Sequence, residues 1–123
     1  MTVIHKYDKI SWHVPPPDPK DLDLDTPPKD GEAGRKFLVQ GESGFYLQTV
    51  FIPPNFAAPT HSHAHAEIFM VVDGDCLFNG EPMGPLDCTV VSADEPYAFT
   101  AGPKGVQFLV TRNGVAHPTF LEG

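Results

Sequence analysis

Apolar, β-branched and aromatic residues in this chain gather in short runs, each closed by glycine, proline or Asn-Gly. No run has the length and 3.6-residue period of a helix, so the pattern predicts strands. The predicted strands are residues 36–40, 45–52, 61–63, 67–73, 76–78, 88–92, 97–100 and 106–111. Asp73-Gly74-Asp75 and Asn79-Gly80 read as turns, the second of the tight-hairpin kind. Many short strands with such punctuation predict an all-β sandwich or barrel. The aromatic and apolar residues Phe45, Tyr46, Leu47, Val50, Phe51, Phe69, Phe78, Phe99 and Phe108 are candidate wall residues, and strand parity sends about half of them inward.

Residues 1–35 break the pattern. Pro15-Pro16-Pro17-Asp18-Pro19 excludes helix, Asp21-Leu22-Asp23-Leu24-Asp25 alternates charge with leucine, and Pro27-Pro28-Lys29-Asp30-Gly31 reads as loop. This divides the chain into an extended N-terminal arm (1–35) and a β-barrel domain (36–123), the arm packing along the domain or across a dimer partner. A length of 123 residues, with 41% hydrophobic residues and nine phenylalanines, suffices for one core without staples. The net charge of −8 and the scattered basic residues argue against nucleic acid and anionic membranes as partners. No leader-like apolar segment opens the sequence and no run approaches a membrane span, so a soluble, cytoplasmic protein is expected. Cys76 and Cys88 are not spaced as a redox or zinc pair and are expected to be buried, reduced thiols.

Chemistry concentrates in His61-Ser62-His63-Ala64-His65-Ala66-Glu67. Imidazole and carboxylate are ligands for zinc, iron, manganese, nickel or copper. On a strand, alternate side chains share a face and stand about 6.5–7 Å apart, so imidazoles leaning inward can meet at one ion. The apolar run Ile68-Phe69-Met70-Val71-Val72 that follows separates this segment from a solvated histidine tract. His5, His13 and His117 stand alone in sequence and are expected to be surface or structural residues.

These residues resemble the first motif of the cupins, small double-stranded β-helix (jelly-roll) barrels. That motif runs from a glycine over five residues to His-x-His, then over three or four residues to Glu, and over six to Gly. His61, His63, Glu67 and Gly74 fit it, with Asn55 in place of the first glycine. The resemblance covers roughly residues 44–112. The second cupin motif departs: Leu86-Asp87 stands where Gly-Asp is usual, and Tyr97 where a histidine completes the metal site. Three arrangements remain open. His61, His63 and Glu67 form a two-His-one-carboxylate site; or His65 joins as a third imidazole, if the strand continues through it; or the Tyr97 hydroxyl binds the metal or its water.

The resemblance implies a metal-dependent enzyme holding one divalent transition metal ion, iron first, with zinc, nickel or manganese as alternatives. His61, His63, His65 and Glu67 are the candidate ligands, and Glu67 and Tyr97 the candidate catalytic groups. No basic residue adjoins the motif in sequence, so a small, largely apolar, oxygen-chelating substrate is expected. The leading expectation is a non-haem iron dioxygenase that cleaves a C–C bond next to a ketone or enol. The alternatives are a non-redox isomerase, cyclase or lyase, and a binding module without turnover. Small barrels of this kind pair through edges and arms, so a homodimer is expected.

Overall fold

The structure, a computed structural model, describes residues 2–13, 33–113 and the backbone of 118–120. Eight strands carry it: β1 (Gly34–Gln40), β2 (Tyr46–Ile52), β3 (His61–His63), β4 (Glu67–Phe78), β5 (Glu81–Met83), β6 (Cys88–Val91), β7 (Phe99–Arg112) and β8 (Pro118–Phe120). A large antiparallel sheet runs β1-β2-β7-β4-β5, with β6 on the free flank of β4, and β3 pairs with β8 in a second sheet. Bridges from His61 to Tyr97 and from Ala57 to Thr100 tie the second layer to the segment entering β7. The fold is all-β and rolls around an inner face, as expected from the alternation of short runs.

Period-two alternation decides what faces inward. In β4, Glu67, Phe69 and Val71 are buried while Ile68 and Val72 are exposed. In β7, Val106, Phe108 and Val110 point inward, and Phe108 and Val71 have no exposed surface. Phe78 stacks on Tyr97 at 5.4 Å, and Phe99 meets Phe108 edge-on at 5.3 Å. Of the candidate wall residues, Phe69, Phe78, Phe99 and Phe108 are in the core, whereas Phe45 is exposed.

Two predicted breaks are absent, since β4 and β7 each run on as one long bulged strand. Asp73-Gly74-Asp75 is not a turn: the register slips between Val71 and Asp73 and again between Gly74 and Cys76 while pairing to β7 continues. Gly74 adopts φ 74° opposite Val106, and a Cβ there would fall 2.2 Å from the Gly105 carbonyl oxygen. Only glycine allows the strands to stay joined through this corner. Asn79-Gly80 does form the tight β4–β5 turn, with φ of 49° and 83°.

Asn55 and Leu86, which stand in place of motif glycines, both take the left-handed conformation those glycines would supply, at φ 62° and 74°. Asparagine tolerates it; leucine does so with strain. Leu86 is held there because its N–H donates to Val71 O at 2.7 Å, while Asp87 O accepts from Val71 N–H at 2.9 Å. Its side chain is exposed, so little burial is lost on truncation. Leu86→Gly is therefore expected to raise stability by roughly 0.5 kcal/mol, the relief of strain exceeding the entropy of an added glycine. Urea denaturation with an unchanged m-value measures it.

The described part of the N-terminal arm packs along the domain. His13 and Arg35 exchange backbone hydrogen bonds at 2.7 and 3.0 Å. The buried Lys36 ammonium lies 3.9 Å from the Tyr7 ring centroid and 4.9 Å from that of Trp12, and donates to Tyr7 O at 2.9 Å. The β structure begins at Gly34, inside the segment read as arm. The proline-rich and Asp-Leu segments and His117 lie outside the described residues.

Of the two cysteines, Cys76 meets the expectation of burial and Cys88 does not. Cys76 is buried on the inner face of β4, but Cys88 is exposed on β6, which pairs with β4. Burial, then the charge of Asp75, pushes the Cys76 thiol up to about 11. At pH 9 iodoacetamide is expected to label Cys88 and spare Cys76 until the chain unfolds, as peptide mass mapping would show; equal labelling of both in the folded protein would contradict it.

Candidate functional site

The inner face at the open end of the roll encloses a cavity of about 290 Å³, near the lower bound for small-molecule sites. Val50, Ile52, Phe69 and Phe99 form its apolar wall, and His61, His63, Tyr97, Gln48, Arg35 and Arg112 supply its polar groups. Strand parity and pairing bring these together. His61 and His63 are alternate residues of β3, with ring centroids 5.2 Å apart. The bridge from His61 to Tyr97 places the phenol beside them, at 4.4 Å from the His61 ring centroid.

Glu67 starts β4 directly opposite Arg112 at the end of β7 and is 1% exposed. Its carboxylate works on two sides. Oε2 accepts from Arg112 Nε at 2.5 Å. Oε1 accepts from the Tyr97 hydroxyl at 3.4 Å and faces His63 Nε2 at 3.6 Å. A carboxylate this deeply buried needs a compensating cation, and Arg112 is that cation.

The two cavity histidines differ in their surroundings. His61 Nδ1 lies 2.8 Å from Pro59 O, which, with the proton on Nδ1, leaves the lone pair on Nε2. Burial, followed by the charge of Arg112, the neighbouring His61 and Arg35, lowers the His63 pKa to about 4. A neutral ring keeps a nitrogen lone pair for a metal. Burial first, then the negative charge of Glu67, raises the Tyr97 pKa, so its hydroxyl stays protonated through the neutral range.

Whether this set suits a metal turns on donor type and spacing. Among the described residues, no group of three or more His, Cys, Asp or Glu side chains is placed so that together they could hold a metal ion. The pairwise geometry still fits. Two donors each about 2.0–2.1 Å from one ion lie about 3–4 Å apart. The His63–Glu67 separation of 3.6 Å is long for a hydrogen bond and falls in that range. Arg112 holds the far oxygen of the carboxylate and so leaves Oε1 turned towards His63. His63 and Glu67 therefore stand at a spacing that suits two donors of one ion, and His61 lies next to His63, with ring centroids 5.2 Å apart.

His65 is not brought to this point. It sits in the bend between β3 and β4, where the strand is broken, so parity does not carry from His63, and it is not among the cavity-lining residues. His5 pairs with Glu42 at 2.8 Å and His13 packs on Phe37, both away from the cavity.

The two arginines and Gln48 correct the expected lining. No basic residue adjoins the motif in sequence, yet Arg35 and Arg112 reach it across the sheet. The signal for Arg112 was its parity: it continues the inward series Val106, Phe108, Val110. The signal for Gln48 was likewise a polar residue in register with the inward-facing Val50 and Ile52.

No protein-family model matches the chain, and no curated protein matches it in sequence. Solved structures do match. The polyketide cyclase of Streptomyces resistomycificus is 20% identical at TM-score 0.70, over 100% of this chain and 87% of that one. A DMSP lyase from Ruegeria pomeroyi is 24% identical at TM-score 0.58, over 65% of this chain and 45% of that one, so the chain spans less than half of that lyase. An RmlC-like cupin from Shewanella frigidimarina is 16% identical at TM-score 0.58, over 65% of this chain and 74% of that one. At such identities the likeness establishes architecture alone: an antiparallel roll with the double-stranded β-helix fold of the cupins.

Proposed function

We propose that the chain is a metal-dependent enzyme of the cupin type. His61, His63 and Glu67 would hold one divalent transition metal, iron first and zinc, nickel or manganese as alternatives, and the substrate would be a small molecule with chelating oxygens. The observation that carries this reading is the approach of His63 Nε2 to Glu67 Oε1 at 3.6 Å, at the edge of a cavity lined by His61 and His63. A three-donor set leaves adjacent positions open, which suits a non-haem iron dioxygenase that cleaves a C–C bond next to a ketone or enol. Both atoms of dioxygen would then end in the two carbonyl products.

When bound, the metal supplies Lewis-acid contact to the substrate oxygens and activation of dioxygen. The chain's own residues do the rest. Phe69, Phe99 and Val50 exclude water and hold the carbon skeleton. Arg112 pairs with Glu67 and orients its carboxylate. Tyr97, held protonated, donates a hydrogen bond to whichever oxygen gains negative charge.

Tyr97 also favours a second reading. A neutral phenol hydrogen-bonded to a buried carboxylate is a proton-transfer pair, which suits a non-redox isomerase, cyclase or lyase. A lyase and a cyclase occur among the proteins of like fold. Oxygen uptake by anaerobically iron-loaded protein with small β-diketones, hydroxyketones and catechols tests the first reading. Deuterium exchange next to the carbonyl of the same compounds under nitrogen tests the second. Failure of both, with tight binding retained, would leave a binding module. The homodimer belongs to the same reading and is testable by sedimentation.

A further inference from the structure

The cavity has more cationic hydrogen-bonding capacity than its own residues use. Arg112 is committed to Glu67. Arg35 also lines the cavity, and among the described residues no carboxylate lies within ion-pair distance of it. Arg35 is fixed in place through its backbone pairing with His13. Beside it, Gln48 is 4% exposed, and neither its amide nitrogen nor its amide oxygen has a hydrogen-bond partner among the described residues. A buried amide left without partners is costly, and such groups mark where a ligand completes the bonding. Burial and then the charge of Arg112 also lower the Arg35 pKa, a repulsion that an anion between the two would relieve.

We infer that the cavity is built for a small organic monoanion, a carboxylate whose oxygens accept from the Arg35 guanidinium and the Gln48 amide while its carbon body lies on Val50 and Phe99. Guanidinium and carboxylate match as planar, two-pronged partners. The apolar wall limits the rest of the molecule to a short hydrocarbon or carbonyl-bearing chain. This replaces the largely apolar substrate expected from sequence, and it rests on reading the cavity as a small-molecule site.

The test uses the full chain stripped of metal with a chelator, so that it does not depend on the metal. Pyruvate, butyrate and benzoate are each titrated against the corresponding neutral amide, followed by backbone amide chemical shifts. At least one acid is expected to bind about tenfold or more tightly than its amide, the difference a charge-assisted hydrogen bond makes. Arg35→Met is expected to erase that preference, Gln48→Leu to reduce it, and Arg35→Lys to keep part of it. The Lys and Leu variants carry the test if Arg35→Met fails to fold. Equal binding of acids and amides, no binding of any probe, or an undiminished preference in folded Arg35→Met or Gln48→Leu would overturn the inference. A carboxylate preference in a protein that binds no divalent metal would uphold it while refuting the metal-dependent function.

Discussion

Arg112→Met is expected to destabilise the protein by about 3–5 kcal/mol, the cost of leaving a buried carboxylate without its cation. The Glu67 side chain has no exposed surface and that of Arg112 is 16% exposed, so water cannot take over the role of the guanidinium. Methionine keeps most of the arginine stem, which separates loss of charge from loss of packing. The second arm is the double variant Arg112→Met with Glu67→Gln. Removing the orphaned charge is expected to restore most of the lost stability, because the destabilisation belongs to the uncompensated carboxylate and not to the missing side chain. Urea unfolding of the four proteins of this cycle measures it. A loss under about 1 kcal/mol in the single variant would mean that the pair is solvated and contributes no more than a surface ion pair.

His63→Ala is expected to weaken divalent-metal binding by roughly a hundredfold or more, a larger loss than the roughly ten- to hundredfold seen when a group that only orients a ligand is removed. His63 is 7% exposed, and its neutral ring faces Glu67 at 3.6 Å. The contrasting variant is His65→Ala. Its position on the bend, away from the cavity wall, leads to an affinity within about twofold of the parent. Competition with a chromophoric chelator reads both. Equal losses in the two variants would restore His65 as a ligand and require the bend to straighten when metal binds.

Local patterning carried much of this architecture in plain view. Short alternating runs gave the roll, the Asn79-Gly80 turn gave the β4–β5 hairpin, and His-x-His on one strand face gave two donors on one wall. What stayed hidden depends on pairing between distant strands. Arg112 meets Glu67 only because β7 lies beside β4 in that register, and Arg35 arrives through β1 at the far edge of the sheet. No local pattern contains such a juxtaposition, although the continued parity beyond Val110 pointed to Arg112. Asp73-Gly74-Asp75 misled for a related reason. Turn composition and bulge composition are the same, and only the presence of β7 alongside decides between them. His65 depended on whether β3 continued past His63; the bend at Ala64 and His65 breaks that parity.

Anomalous diffraction from crystals grown with iron, zinc and nickel salts bears most directly on the proposed centre. The expected result is one peak about 2.0–2.2 Å from ring nitrogens of His61 and His63 and from Glu67 Oε1, with Arg112 still on Oε2. A map with no peak there, and with both rings turned away from the carboxylate, would contradict it.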